Sequence, residues 1–330
     1  MIRSRRLAAL AVGLVVVLSG CSVRVLGTPV PVPNPTFPKP PEPTGANLFG
    51  DFRTLDPCGL LEPADLASVG RAALGPVESL DYCAFTVTTS AGAKLDLAVG
   101  ILEQLESERE LTGTKTPFGD FRIQAEEGDD AYCARRLVFP DLVTMHASVN
   151  NFGKEKTTAV ELCGVVEAAV KAVGKRLQDG KEPAHRTFAA NSLGRLDACE
   201  AVPAATIAKV PGLAAAKARQ YPARHQCRWS KDGTVTPPRV RVTYLVDSPG
   251  ANQAGSEVLT IAGRSTVVAK SAGTSIALCS AETAHVDFPG ATGRKETAMV
   301  IVSLPSPAKA DDACVAAKFL AVDVWNQLPK

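Results

Sequence analysis

Apolar positions along the chain fall into two successive series, each made of strand-like runs closed by one helix-like run. Alternating or continuous apolar segments in the first series predict strands at 83–88, 94–102, 121–125, 131–139 and 143–149. The second series predicts strands at 226–230, 239–246, 265–269, 275–278 with 284–288, and 298–304. Val240, Val242 and Tyr244 alternate with Arg239, Arg241 and Thr243, the period of a sheet with one buried face. The closing runs have helical spacing instead. Cys163, Val166, Val170, Val173 and Leu177 advance by 3, 4, 3 and 4, and Cys314, Ala317, Ala321, Val324 and Leu328 repeat those steps. Thr157 or Thr158, and Asp311 or Asp312, suit the N-caps of these helices. A short helix is expected to open each series, with Pro63 and Pro203 in the first turn. Its apolar face would be Leu66, Val69 and Ala73 in one series, Ile207 and Val210 in the other.

The cysteines turn two similar series into an internal duplication. Cys58, Cys83, Cys133 and Cys163 are separated by 25, 50 and 30 residues, and Cys199, Cys227, Cys279 and Cys314 by 28, 52 and 35. Leu55-Asp56-Pro57-Cys58 matches Leu196-Asp197-Ala198-Cys199, Cys83-Ala84-Phe85 matches Cys227-Arg228-Trp229, and Phe139-Pro140 corresponds to Phe288-Pro289. The fold expected is α+β: two tandem copies of a small antiparallel sheet with a short N-terminal helix and a C-terminal packing helix, each with two disulfides. Residues 49–181 would form the first module and 182–330 the second, with a polar linker at 178–194 carrying Gly180 and Pro183. Four cysteines allow three pairings. Geometry favours sequence neighbours, because the first cysteine opens a helix packed beside the strand that carries the second, and the fourth faces the sheet that carries the third.

Ahead of the modules, Arg3, Arg5 and Arg6 precede an uncharged apolar run from Leu7 to Leu18. A spanning helix needs ~20 apolar residues, so this shorter run reads as the h-region of a signal peptide over residues 1–20. Leu18-Ser19-Gly20-Cys21 resembles the lipobox of bacterial lipoproteins, in which Cys21 becomes the acylated N-terminus. Residues 21–48 are then a spacer, whose prolines at 29, 31, 33, 35, 38, 40, 41 and 43 favour extended polyproline II at ~3.1 Å per residue. Three of the 36 basic residues lie in the signal peptide, which leaves 33 against 34 acidic ones. A neutral chain without a basic stripe argues against nucleic acid as partner.

An acylated cysteine, a Pro-rich spacer, a Leu-Asp-Pro-Cys helix start and a later Cys-x-Phe/Trp strand together resemble an actinobacterial lipoprotein family known as domain of unknown function 3558. The resemblance covers residues 55–177 and, with Ala198 in place of the motif's proline, 196–328. The pattern is also similar to the two-disulfide extracellular sensor domain of some actinobacterial serine/threonine kinases. Both likenesses imply the cell envelope as context, and neither supplies catalytic residues.

Candidate chemistry is sparse. No two cysteines form a CxxC, and disulfides fit an oxidising compartment better than metal does. His225-x-Cys227 reads as a surface histidine beside a cystine, Glu126 to Asp130 as a solvated hairpin turn, and Ser306-Pro307-Ala308-Lys309 as a loop without the partner motifs of a penicillin-recognising acylase. The four histidines, His146, His185, His225 and His285, are scattered. No catalytic residue, metal or cofactor is expected. The polar positions differ between copies: Gln226 and Arg228 stand where Tyr82 and Ala84 stand in the first, and Glu126 to Asp130 faces Lys270-Ser271-Ala272-Gly273. A catalytic set kept in both copies would have left shared polar residues. The expected function is that of a lipid-anchored, extracytoplasmic, noncatalytic module that binds an envelope protein partner or assists a membrane complex. The alternatives are a receptor for a small or lipidic ligand, and an envelope hydrolase.

Mass spectrometry of the mature N-terminus should find diacylated Cys21 as the first residue. A Cys21→Ser chain that is still processed and membrane-bound as before would overturn the assignment.

Overall fold

The alternating runs become two seven-stranded sheets in a computed structural model that describes residues 42–153, 155–247, 256–272 and 276–330. The signal peptide, Cys21 and the spacer as far as residue 41 lie outside the described residues. In the first module the strands are β1 (Arg71–Leu74), β2 (Cys83–Thr88), β3 (Lys94–Gln104), β4 (Lys115–Phe118), β5 (Phe121–Ala125), β6 (Tyr132–Val138) and β7 (Val143–Asn150). The second has β8 (Lys217–Gln220), β9 (Gln226–Ser230), β10 (Arg239–Asp247), β11 (Ser256–Ile261), β12 (Arg264–Ala272), β13 (Ile276–Asp287) and β14 (Lys295–Pro305). The spatial orders are β1-β2-β3-β7-β6-β5-β4 and β8-β9-β10-β14-β13-β12-β11, the same topology twice. Every pairing is antiparallel. After a three-strand meander the chain crosses to the far edge, and a second meander brings β7 or β14 back against β3 or β10. The duplication read from cysteine spacing is therefore a duplication of fold.

One helix covers the core face of each sheet. Helix α2 (Ala159–Gln178) buries Val166, Val170, Val173 and Leu177 against Leu97, Val99, Met145 and Val149. Thr158 caps it: its Oγ1 accepts from Glu161 N while the Glu161 carboxylate accepts from Thr158 N, a reciprocal capping box. Helix α4 (Ala310–Gln327) buries Ala317, Leu320, Ala321 and Val324 against Val242, Val300 and Val302. Trp325 also lies in that core, and its indole N–H donates to Thr266 Oγ1 at 2.9 Å. The four disulfides join Cys58 to Cys83, Cys133 to Cys163, Cys199 to Cys227 and Cys279 to Cys314, with Cα separations of 4.8, 5.2, 5.0 and 5.0 Å. Each module thus has one bond tying its opening turn to the sheet and one tying the sheet to its closing helix.

Several expectations need correction. The opening helix is only a pair of short 3-10 turns in the first copy (Pro57–Gly59 and Pro63–Leu66) and a four-residue helix α3 (Ala204–Ile207) in the second. Ala73 is consequently not on a helix face; it lies exposed in edge strand β1. Neither Asp311 nor Asp312 is the N-cap of α4. Lys309 takes that place, and Asp312 reaches back from the third position to accept from Lys309 N at 2.8 Å. The runs at 275–278 and 284–288 belong to the single strand β13, whose register shifts between Ala284 and Asp287. The edge strands β1, β4, β8 and β11 had no sequence signal because they are mostly exposed and carry no alternation. The folded part also begins before residue 49. Helix α1 (Gly45–Phe49) docks on β7, with Gly45 N and Ala46 N donating to the Asp141 carboxylate and Phe49 buried. A Cβ at Gly45 would lie 2.7 Å from Val143 Cβ, so glycine is what permits the approach.

Replacing Cys133 and Cys163 together by alanine should lower stability by ~3–4 kcal/mol on the chain-entropy model. Urea unfolding followed by far-UV circular dichroism measures it, and a loss near zero would mean that this bond is structurally idle.

Candidate functional site

The two modules have separate cores, yet residues from Pro41 to Lys330 form one compact unit. What fuses them is the segment between β1 and β2. Ser79 bridges to Leu245 of β10, and Val246 N donates to Glu78 O at 3.4 Å. Leu80, a residue of the first module, packs within the core of the second and is 1% exposed. Asp81 follows it into the interior. One carboxylate oxygen meets His225 Nδ1 at 2.6 Å and the other accepts from Gln226 Nε2 at 2.7 Å. His225 Nε2 meets Gly194 O at 3.0 Å, so both ring nitrogens face oxygen atoms. Phe188 packs edge-on against that ring, with centroids 5.8 Å apart. Gly100 makes room behind the segment. It sits in the β3 bulge at φ +129°, where a Cβ would come 2.7 Å from Pro57 Cβ and 3.1 Å from Asp81 O.

His225 is therefore no surface histidine. It is 1% exposed and is the centre of the junction. The linker reinforces it by packing back on the first module: Asp56 N donates to Ala184 O, and Arg186 N to Thr54 O. The Arg186 guanidinium then joins three parts of the chain, through Asp56 at 2.8 Å, Leu80 O at 3.3 Å and the face of the Phe288 ring at 5.6 Å.

A second set of contacts lies farther along the junction. Arg219 of β8 pairs with Glu110 and with Glu103 of β3, and donates to Gln104 O at 3.2 Å. Glu103 also pairs with Arg136 of β6, which holds Glu126 at 2.7 Å. Burial and the Arg136 charge push the neighbouring His146 below the ordinary histidine range. β9 is buried along its whole length, so the one-sided burial expected from the alternation in β10 does not extend to its neighbour.

The remaining sequence candidates have structural roles. Glu126 is spent on Arg136, Asp129 accepts from Ala131 N and Tyr132 N, and Asp130 accepts from Ala159 N at the start of α2. Ser306 and Pro307 form a turn ahead of α4. His185 meets Thr54, and His285 meets Asn191 O. Among the described residues no group of three or more His, Cys, Asp or Glu is placed to hold a metal ion, and no helix is long and apolar enough to cross a membrane.

A shallow, open groove of about 620 Å³ runs along α2. Phe118, Ala168 and Ala172 form its apolar floor, and Lys171, Lys175 and Lys181 stand around it. Lys171 pairs with Glu167 and Lys175 with Asp179, while Arg176 bridges Glu62 and Asp65. The two lysine pairs are exposed and worth ~0–1 kcal/mol each, so a partner's carboxylates can displace them at little cost.

No protein-family model and no curated protein matches the chain. A solved structure titled "Crystal structure of MucB in complex with MucA(peri)" aligns with 77% of this chain and 69% of that one, at 12% identity and a TM-score of 0.12. A likeness that weak carries no argument.

The chain's two tryptophans, Trp229 and Trp325, both belong to the second module, so their fluorescence reports that module alone. Leu80→Ala, although in the first module, should destabilise the second by ~2–5 kcal/mol through the cavity it leaves. Asp81→Ala should cost ~1–3 kcal/mol by leaving His225 and Gln226 without their buried hydrogen-bond partner. Urea midpoints from tryptophan fluorescence that stayed at the wild-type value in both variants would refute the junction as described.

Proposed function

We propose that the chain is a lipid-anchored envelope protein whose two fused modules act as a noncatalytic platform for a protein partner outside the membrane. The observation that carries this reading is the α2 groove: broad, open and mixed in character, it has the form of a protein-docking surface rather than of a cleft that encloses a substrate. Lys171, Lys175 and Lys181 suit an acidic partner segment, and the floor formed by Phe118, Ala168 and Ala172 gives it apolar surface to bury. Rigidity supports the same reading. A platform loses less entropy on binding when its parts are already fixed, and the buried junction fixes them. The resemblance to the actinobacterial lipoprotein family agrees with the envelope context.

The junction also accounts for some of the polar divergence between copies. Gln226 and Arg228 differ from Tyr82 and Ala84 because they serve contacts with the first module, so their divergence does not mark a surface for a protein partner.

A photocrosslinking residue at position 168 or 171 should capture one discrete envelope protein in intact cells, and the same residue at exposed position 315 on α4 should not. Equal capture at the two places, or turnover of an envelope substrate abolished by one polar substitution that spares the fold, would overturn the proposal.

A further inference from the structure

Along the face of the second sheet turned away from its core, arginines sit side by side in register. Arg219 of β8 faces Arg228 of β9, which faces Arg241 of β10. The carboxylates run out along this row. Arg219 pairs with Glu103 and Glu110; Arg228 comes no nearer than 3.8 Å to Glu103; Arg241 forms no hydrogen bond or ion pair among the described residues. In the adjacent row Arg239 lies between Ser230 and Ser303, and its guanidinium donates only to Val235 O, at 2.6 Å. Arg228, Arg239 and Arg241 line one partly enclosed cavity of about 150 Å³, completed by Val235, Leu278 and Ile301.

This collection of charge is costly as it stands. Arg228 is 7% exposed; its other nitrogens donate to Tyr221 Oη and Gly233 O, but its Nε has no partner among the described residues. The Ser230 and Ser303 hydroxyls, both fully buried in register with Arg239, also lack partners there. Burial, with the adjacent guanidiniums, holds Arg241 and Arg239 below the ordinary arginine range. Among the described residues no carboxylate reaches Arg239 or Arg241, and Arg228 has only Glu103 at 3.8 Å, so the cluster is short of counter-charge. An oxyanion would supply it, because guanidinium N–H groups match its oxygens two at a time.

We propose that this cavity is a binding site for one small oxyanion of phosphate size, held by Arg228, Arg239 and Arg241. Size sets the class. About 150 Å³ accommodates a tetrahedral anion and falls short of the ~300–1,000 Å³ of pockets that bury a larger ligand whole. The anion is either free or the terminal group of a larger ligand whose remainder stays outside. The site stands apart from the α2 groove and does not depend on a partner binding there.

Isothermal titration and thermal melts of the full chain at low ionic strength test this, with inorganic phosphate, sulfate and phenyl phosphate as probes against matched chloride. Phosphate and sulfate should bind at one site with a dissociation constant below about 1 mM and raise the melting temperature with the logarithm of concentration. Arg241→Gln should weaken binding by about tenfold or more, consistent with the loss of a charge-assisted contact. Since Arg241 has no partner to lose, the same variant should melt at or above the wild-type temperature without anion, which separates lost binding from a damaged fold. Phenyl phosphate bound as well as phosphate marks the end-group mode, and its exclusion marks the free anion. Absence of saturable phosphate and sulfate binding, or binding unchanged in Arg241→Gln, would overturn the proposal.

Discussion

The contact between Asp81 and His225 is the constraint on which the rest of the structure depends. A carboxylate 6% exposed is tolerable only with its oxygens hydrogen-bonded, and His225 and Gln226, adjacent on the second module, supply both bonds. Leu80 beside it contributes what a carboxylate cannot, apolar area buried in the other module's core. The polar pair fixes register and the leucine provides burial. Together they turn two small domains, each able to bury its own helix against its own sheet, into one body.

The junction also shows what duplication made possible. Two copies of one fold start with equivalent surfaces, and a stable asymmetric contact between them requires those surfaces to differ. The difference lies at Gln226 and Arg228 on β9 and at Glu103 on β3, positions that face away from either core and are free to change without disturbing it. Cysteines and apolar residues stayed alike because the fold needs them. Polar residues diverged where one copy meets the other, and again where the second module gathers arginines without matching acids.

Rigidity is then layered. Disulfides tie each sheet to its opening turn and closing helix, hydrophobic burial holds each module together, and the junction holds the modules to each other. Such a frame can present an open groove on α2 and a small charged cavity beside β10 without either moving relative to the other. Arg241, without a partner in a cavity that apolar residues could fill, is a position where stability is forgone, as at sites kept for a ligand.

Much of this was present in the sequence because it is local or periodic. Alternation located β2, β5 and β9 to the residue, the 3-4-3-4 spacing located α2 and α4, and the repeated cysteine intervals identified two copies and, with the helix and strand positions, the pairing of their disulfides. The lipobox-like junction before Cys21 is likewise a linear signal. What only the tertiary structure decided are contacts between residues far apart in sequence with no periodicity to announce them. Asp81 and His225 are 144 positions apart, and nothing around His225 distinguishes a buried histidine from a surface one until β9 is seen to be covered on both faces. The arginine row is equally hidden, because Arg219, Arg228 and Arg241 become neighbours only through the register of three strands. Their lack of counter-charge depends on which carboxylates the first module brings within reach. Sequence determines the elements and the face each one buries; the packing of one finished module on another determines which polar groups are satisfied and which are left for a ligand.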